Sequence, residues 1–149
     1  MLNNKKILIT GIANKFSIAN GIAQSMSKNG AELAFAYQNE RLLKKIKPIA
    51  DDLGVKTLIE CDVASDKSIE RTFSQLADEW GTLDGIVHSI GFAPSDQLDG
   101  DFTEVTTREG FQIAHDISSY SFTALAKGAL PILSENAALL TLTLSLIHI

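Results

Sequence analysis

Two residues with side chains suited to proton transfer, Tyr120 and Lys127, are seven positions apart in the segment YSFTALAK. Seven steps of about 100° return a helix to nearly the same direction, so the two side chains share one helix face. A phenol hydroxyl beside an ammonium group can donate a proton to a reacting oxygen. The spacing therefore indicates either a catalytic Tyr–Lys pair or a Tyr and a Lys that share a face of an ordinary helix by chance.

A turn containing glycine, TGIANKFSIANGIA, joins the first apolar run to the first amphipathic stretch. Gly11 allows a sharp turn, and a helix that begins after it can bind a pyrophosphate through free N–H groups. The spacing is not G-x-G-x-x-G, because Ser17 and Ala19 stand where closer glycines would be expected. A nucleotide site and an ordinary tight turn both remain open at this point.

Polar residues follow the next apolar runs, with Gln38 in AYQNE, Asp62 in CDV and the segment HSIG after the fourth run. Strand ends of a parallel sheet meet at one edge, where ligands bind in open α/β folds. Gln38 can hydrogen-bond a ribose hydroxyl, but it supplies neither a carboxylate nor a cation for a 2′-phosphate. The alternative for Gln38 is a solvated loop residue.

Metal chemistry has weaker support. His88, His115 and Asp116 do not follow a known zinc spacing, so structural roles are expected for both histidines. The acidic segment DQLDGD lacks the spacing of an EF-hand loop. We therefore predict no metal site.

Short apolar runs alternate with amphipathic stretches along the whole chain. The runs predict strands at 6–10, 31–37, 56–63, 83–91 and 137–149. The amphipathic stretches predict helices at 17–30, 39–54, 65–81 and, as one long helix, within 105–133. This alternation is typical of βαβ units and predicts an α/β fold with a doubly wound, Rossmann-like parallel sheet that ends after the fifth strand.

Composition excludes several classes of protein. The chain has 149 residues and a net charge of −5, which gives no basic surface for nucleic acid. The single cysteine, Cys61, forms no internal disulfide and fits a reducing compartment. The first residues lack the apolar core of a signal peptide, and no run reaches the roughly 20 apolar residues of a membrane span. A cytoplasmic protein without membrane insertion is expected.

Several of these segments together resemble one family. TGIANKFSIANGIA, ELAFAYQNE, ECDVASDKSI, DGIVHSIGFAPSDQLDGDF and TREGFQIAHDISSYSFTALAK are similar to bacterial NADH-dependent enoyl-acyl-carrier-protein reductases of the FabI type. These enzymes form a divergent branch of the short-chain dehydrogenase/reductase family. The segment HSIGFAP followed by DQLDGD is specific to this branch, and the similarity covers about residues 5–143.

The resemblance implies an enzyme that passes hydride from NADH to a trans-2-enoyl thioester on acyl carrier protein, in a homotetramer. A Tyr hydroxyl would stabilise the enolate oxygen, with a Lys seven residues later holding the cofactor ribose. It also implies cofactor-binding residues: Gly11, Ser17 and Ile18 at the pyrophosphate, Gln38 at the adenosine ribose, Asp62 and Val63 at the adenine, and Ile90 and Gly91 beside the nicotinamide part. Ala93 would contact the acyl substrate, beside Phe92.

The end of the chain departs from the family pattern. The family motif LLTLSY is expected near 139–144, but the sequence has LLTLTL, and SLIHI resembles nothing in the family. We therefore expect residues 1–143 to be an incomplete dinucleotide-binding domain and residues 144–149 to be a non-family tail. A natural short variant with a different end is the alternative.

The catalytic pair of the family follows the fifth strand, so no catalytic residue is expected in this chain, and the isolated polypeptide is predicted to be inactive. Tyr120 and Lys127 precede that strand, on the helix where short-chain dehydrogenases carry an Asn at the place of Ser118. Counted from Ser118, both point away from the cofactor. The fifth strand becomes an apolar edge and an aggregation risk.

Two other functions remain open. A different short-chain reductase that acts on a carbonyl would share the fold, although HSIGFAP argues against it. A nucleotide-binding module without catalysis would use the same strand ends. Arg41 lies close enough to Gln38 to leave NADPH open as the cofactor, although Gln38 itself favours NADH.

Overall fold

The computed structural model describes residues 1–143, in which the apolar runs form five strands. The strands are β1 (Lys6–Ile9), β2 (Glu32–Tyr37), β3 (Thr57–Glu60), β4 (Leu83–His88) and β5 (Leu133–Thr141). The helices are α1 (Ile18–Lys28), α2 (Glu40–Leu53), α3 (Asp66–Trp80), the short α4 (Phe102–Val105), α5 (Arg108–His115) and α6 (Ser121–Ala129).

All neighbouring strands are parallel, in the order β3-β2-β1-β4-β5. In the central strand, Leu8 pairs with Ala34 of β2 on one side and with Ile86 of β4 on the other. The chain therefore leaves β1 toward one edge of the sheet and later crosses to the other side. Because the strand order reverses between β1 and β4, a crevice is expected outside their carboxyl ends. The predicted doubly wound α/β fold is confirmed.

Side chains that alternate along β1 explain why helices cover both faces of the sheet. Ile7 and Ile9 are buried in a core with Phe35 and with Ile46 of α2. Leu8 points to the opposite core, which contains residues of α3 and α6 such as Leu76 and Leu125. A parallel sheet that buries both faces requires apolar side chains on both, as these runs provide.

Residues of types that favour helix ends stand at the ends of α2 and at the start of α3. Asn39 accepts a hydrogen bond from the backbone N–H of Leu42 at the start of α2, and Ser65 accepts one from Ser68 at the start of α3. Gly54 ends α2 with a φ of 68°, a left-handed conformation that suits glycine. Ser17 occupies the corresponding position before α1, but its side chain makes no capping bond to that helix.

The long helix predicted within 105–133 is present from 108 to 129, but it is not a uniform α-helix. A π-helical turn at Asp116–Tyr120 joins α5 to α6 without a break, and α4 is a separate short helix that ends at Val105. A short 3₁₀ turn at Leu130–Ile132, which contains Pro131, then ends the helical stretch. Proline cannot continue a helix interior, so the chain passes directly into β5.

The fifth strand begins four residues earlier than predicted, at Leu133 instead of 137. The polar residues at its start are held by the sheet: Ser134 Oγ donates to Asp84 Oδ1 at 2.9 Å. The predicted strand end and the predicted tail at 144–149 lie outside the described residues, so the division at 143 stays a prediction. Within residues 1–143, no helix has both the length and the apolar character needed to cross a membrane.

Candidate functional site

A cleft of about 240 Å³ opens at the carboxyl edge of the sheet, beside the point where the strand order reverses. Four strand ends with the loops that follow them, helix α2 and the π-helical turn supply its lining: Thr10, Gly11, Ile12, Ala13, Ala36, Tyr37, Gln38, Leu42, Cys61, Val63, Ser89, Ile90, Gly91, Phe92 and Ile117. The structure thus brings together five of the predicted site residues: Gly11, Gln38, Val63, Ile90 and Gly91. Ser17, Ile18, Asp62 and Ala93 do not line this cleft.

Gly11 lies where the loop after β1 meets the loop after β4. Its φ of 82° is in the left-handed region, and a Cβ built on it would overlap the carbonyl oxygen of Ser89. The adjacent Thr10 binds the same strand end, since its N–H donates to the Val87 oxygen at 2.9 Å. Glycine is therefore required here by backbone packing as well as by the turn.

Ser17 organises the loop between β1 and α1. Its Oγ accepts hydrogen bonds from the backbone N–H groups of Ala13 and Asn14, at 3.0 and 2.9 Å, and donates to the Asn14 oxygen. Ile18 follows at the first position of α1 and is 69% exposed. The predicted pyrophosphate contacts of both residues stay predictions.

Gln38 and Asp62 meet at the ends of β2 and β3. Gln38 Nε2 donates to Asp62 Oδ1 at 3.4 Å, and the same carboxylate oxygen accepts from the Ala64 N–H at 3.2 Å. Asp62 therefore lies beside the cleft and holds the side chain of Gln38, which lines it. Their predicted contacts with ribose and adenine stay predictions.

Tyr37 and Cys61, which directly precede Gln38 and Asp62 in the chain, line the cleft with uncharged side chains. Burial raises the pKa of the Cys61 thiol, which is 5% exposed and so stays protonated. Burial also raises the pKa of the Tyr37 phenol, and the carboxylates of Glu60 and Glu40 raise it further. Both side chains are thus neutral at neutral pH.

The segment after β4 forms the opposite wall of the cleft. Gly91 lines the cleft, and a Cβ built on it would have no heavy atom within 4 Å among its non-neighbouring residues. The absence of a side chain at this position therefore leaves room that protein atoms do not fill. Phe92 beside it is 49% exposed and is joined through its backbone to Ser118.

Both ring nitrogens of His88 have hydrogen-bond partners within the fold, in keeping with the structural role predicted for it. It is fully buried, with its Nε2 at 2.7 Å from Ser121 Oγ and its Nδ1 at 3.0 Å from Thr141 Oγ1. His115 instead stacks on Phe111 at the surface, with ring centroids 4.5 Å apart. The part of the chain that the structure describes contains no group of three or more His, Cys, Asp or Glu residues that could hold a metal ion.

Tyr120 and Lys127 line a different groove, of about 500 Å³, between α3 and α6. Their expected direction, away from the strand-end cleft, is confirmed. The uniform 100° rotation used for that prediction does not hold across Asp116–Tyr120, because a π-helical turn contains an additional residue. A second pair at this spacing, Tyr37 and Lys44, runs from the end of β2 into α2 and so does not share a helix face.

The residues of the cleft fit a dinucleotide. Among the described residues, those that line it include no Asp, Glu, Lys or Arg, so backbone N–H groups and polar side chains would hold the phosphates and riboses. The apolar wall of Ala36, Leu42 and Val63 suits a flat base, and the space at Gly91 suits a ring beside the β4 end.

The apolar members of this lining, such as Ile12, Ala36 and Leu42, were not predicted from the sequence. Their position at strand ends was the available signal, but an apolar residue there is equally typical of a core. Ile117 was missed for another reason, because no sequence pattern indicated the π-helical turn that brings it to the cleft.

The family model of enoyl-(acyl carrier protein) reductase matches residues 11–148 of the chain. The enoyl-[acyl-carrier-protein] reductase [NADH] FabI of Escherichia coli (strain K12) is 56% identical over 142 residues, which are 95% of this chain and 54% of that protein. The protein of the same name from Haemophilus influenzae is 51% identical over 142 residues, with the same coverage of both chains.

Two solved structures are similar in fold and sequence. The enoyl-[acyl-carrier-protein] reductase (NADH) from Aquifex aeolicus superposes with a TM-score of 0.90 at 45% identity, over 95% of this chain and 56% of that one. The reductase from Anaplasma phagocytophilum in complex with NAD has a TM-score of 0.90 at 39% identity, over 95% and 54%. The chain thus spans about half the length of the curated relatives it matches.

Proposed function

The chain belongs to the enoyl-(acyl carrier protein) reductase family, and from this membership we propose that its strand-end cleft binds NADH for the reduction of an enoyl thioester. The acyl chain of that substrate is carried on acyl carrier protein. When bound, NADH supplies the hydride that reaches the β-carbon of a trans-2-enoyl thioester, whose enolate is then protonated. The observation that carries the proposal is the cleft at the reversal of strand order, with room left at Gly91.

The chain's own residues would bind the cofactor along the strand ends. Gly11, with Ser17 and Ile18 at the start of α1, would bring backbone N–H groups to the pyrophosphate. Gln38 would meet the adenosine ribose while Asp62 and Val63 frame the adenine. Ile90 and Gly91 would lie beside the nicotinamide riboside. Support comes from the geometry, since five of these eight residues line one cleft.

The preference for NADH over NADPH follows from charge. Among the described residues, the lining contains no Lys or Arg, and Gln38 is held by the Asp62 carboxylate at 3.4 Å. A 2′-phosphate at the adenosine ribose would lie close to that carboxylate without a lining cation, and like charges repel. NADH carries a hydroxyl there, which the Gln38 amide can bind.

The substrate would enter beside the β4 end, where Ala93 would contact the acyl chain next to Phe92. The Tyr and Lys that stabilise the enolate in the family would not be Tyr120 and Lys127, because these two line the groove between α3 and α6. We therefore propose that the 149-residue polypeptide by itself binds cofactor but does not reduce an enoyl thioester.

Self-association is part of the same proposal. The surface of α5 and the following turn exposes Phe111, Ile113 and Tyr120, at 55%, 37% and 52%. Copies of the chain would meet along this helix in the homotetramer that the family resemblance implies, which light scattering on the eluted protein would detect.

A fluorescence titration with NADH tests the binding proposal. We expect saturable binding by the wild-type chain and a loss of about tenfold or more in affinity for Gly91→Val, because the added side chain fills space in the cleft. The melting temperature of Gly91→Val should stay near that of the wild type, since a Cβ there meets no protein atom.

The control is Gly21→Ala, on the exposed side of α1, where a Cβ also meets no protein atom. Its NADH affinity should equal that of the wild type. Absence of NADH binding by the folded wild-type chain would overturn the proposal. Turnover of crotonyl thioester with NADH by this polypeptide would overturn the proposed inactivity alone.

A further inference from the structure

The π-helical turn between α5 and α6 has an identifiable cause in Ser121. The Ser121 N–H bonds to the oxygen of Asp116, five residues earlier, instead of to Ile117 four residues earlier. The Ile117 oxygen accepts a hydrogen bond from the Ser121 hydroxyl instead, at 2.6 Å. A serine hydroxyl that bonds to the carbonyl four residues back competes with the helix ladder, and here it replaces one rung.

His88 orients that hydroxyl. Because the one hydrogen of Ser121 Oγ goes to Ile117, His88 Nε2 must carry the hydrogen of their 2.7 Å bond and donate it. His88 Nδ1 then accepts from Thr141 Oγ1 at 3.0 Å. Both His88 and Ser121 are fully buried, and burial lowers the pKa of His88, in keeping with a neutral imidazole. The chain of bonds thus runs from β5 through β4 into the π-helical turn.

Two neighbouring residues of the turn, Ile117 and Ser118, act on the strand-end cleft in different ways. Ile117 lines the cleft directly. Ser118 holds both backbone groups of Phe92: its Oγ accepts from the Phe92 N–H at 2.9 Å and donates to the Phe92 oxygen at 3.0 Å. Because Ile90, Gly91 and Phe92 form one wall of the cleft, this pair of bonds fixes the position of that wall.

We propose that His88, Ser121 and Ser118 are positioning residues that together hold the β4 end of the cleft in place for the nicotinamide riboside of the cofactor. None of the three needs to touch the cofactor. His88 and Ser121 set the π-helical register, and Ser118 transmits it to the backbone of Phe92. This role rests on the proposed NADH binding. It divides the cleft into two parts: the adenosine side is independent of the π-helical turn, and the nicotinamide side depends on that turn.

Binding of NADH and of ADP separates this role from a general loss of structure. ADP ends before the nicotinamide riboside, so it reaches Gln38 and Val63 but not the wall held by Ser118. We expect Ser118→Ala to weaken NADH binding about tenfold, for two lost hydrogen bonds, and to leave the ADP affinity unchanged. The matched control is Ser119→Ala, an exposed serine in the same turn whose side chain makes no hydrogen bond within residues 1–143.

Substitutions of His88 test the hydrogen bond between His88 and Ser121. His88→Gln keeps an N–H that can donate to Ser121 and should bind NADH within about threefold of the wild type. His88→Leu removes the donor and should weaken NADH binding as much as Ser118→Ala does, again without loss of ADP affinity. If His88→Leu fails to fold, the comparison of Ser118→Ala, Ser119→Ala and His88→Gln still decides the outcome.

Unchanged NADH affinity in Ser118→Ala would overturn the positioning role, and so would an equal loss of NADH and ADP affinity. Wild-type protein that binds neither nucleotide would overturn the proposed function first and this inference with it. Wild-type binding combined with an unaffected Ser118→Ala would overturn this inference alone.

Discussion

Gly11 joins two loops that are far apart in the sequence. Its φ of 82° is left-handed, and a Cβ added to it would overlap the Ser89 carbonyl, so there is no space for a side chain. The sequence predicted a glycine turn here, either for a nucleotide or for a tight strand–helix connection. The contact with Ser89 could not be predicted, because it depends on β4 packing beside β1. Both requirements fall on the same residue.

Replacement of Gly11 by alanine tests this double requirement. We expect Gly11→Ala to lower the free energy of unfolding by about 1–3 kcal/mol for the unfavourable φ alone, and more if the loop after β4 is displaced. NADH affinity should fall as well. Gly21→Ala is the matched control and should raise stability by up to about 1 kcal/mol, because alanine favours the helix. Equal stability of the two variants in urea unfolding would contradict the account.

His88 gives the stability a pH dependence of defined sign. Burial lowers its folded-state pKa below the ordinary value of about 6.5. Between those two values the unfolded chain binds one more proton than the folded chain, so the free energy of unfolding rises with pH. The stability linked to neutral His88 is therefore complete above about pH 6.5 and is lost as the pH falls toward the folded-state pKa.

Urea unfolding of the wild type and of His88→Gln, at about pH 7.5 and about pH 5.5, measures this contribution. The wild type should lose stability on acidification, and the variant should lose less. The described side chains that hydrogen-bond to the imidazole, Ser121 and Thr141, do not titrate. An identical pH dependence in the two proteins would show that His88 does not carry the effect.

At the scale of elements, strands β1 to β4 and the helices between them could be predicted from apolar runs and amphipathic spacing. The cleft could be located as well, because parallel strand ends must meet at one edge. The start of β5 could not, since Ser134 and its neighbours are polar and are recruited by Asp84 and by pairing with β4. The π-helical turn could not either, because its hydrogen bonds involve the Ser121 hydroxyl, which His88 contacts from another element.

The fifth strand lies at one edge of the described sheet, next to β4. Its Leu139 and Leu140 are 36% and 45% exposed and occupy opposite faces, as neighbouring strand residues do. An apolar edge strand offers backbone groups for pairing with another chain. The edge predicted from the sequence is therefore present in the described residues.

A lysine on this edge should reduce aggregation of the 149-residue polypeptide. We expect Leu140→Lys to increase the fraction of protein that elutes as a single species in size exclusion, because a charge on an edge strand opposes pairing. Leu130→Lys changes a leucine that is 67% exposed outside the strand, and it should have a smaller effect. Equal improvement by both variants would assign the effect to net charge and not to the edge.

At the scale of the whole molecule, the four strand ends that form the cleft all lie within residues 1–143, while the chain spans about half the length of its curated relatives. Cofactor binding and catalysis are therefore separable in this polypeptide under the proposed function. The similarity to the family in sequence and fold supports the proposed cofactor binding. The groove that contains Tyr120 and Lys127 is a distinct surface between α3 and α6.

Amide hydrogen exchange with and without NADH tests this separation most directly, because it reports where the ligand protects the backbone. We predict added protection at Thr10–Ala13, at Ser89–Phe92 and around Ile117, the segments that line the strand-end cleft. The segments of α3 and α6 that line the second groove should exchange as before. Protection of α3 and α6 without protection of Ser89–Phe92 would contradict the account, because the ligand would then occupy the groove of Tyr120 and Lys127.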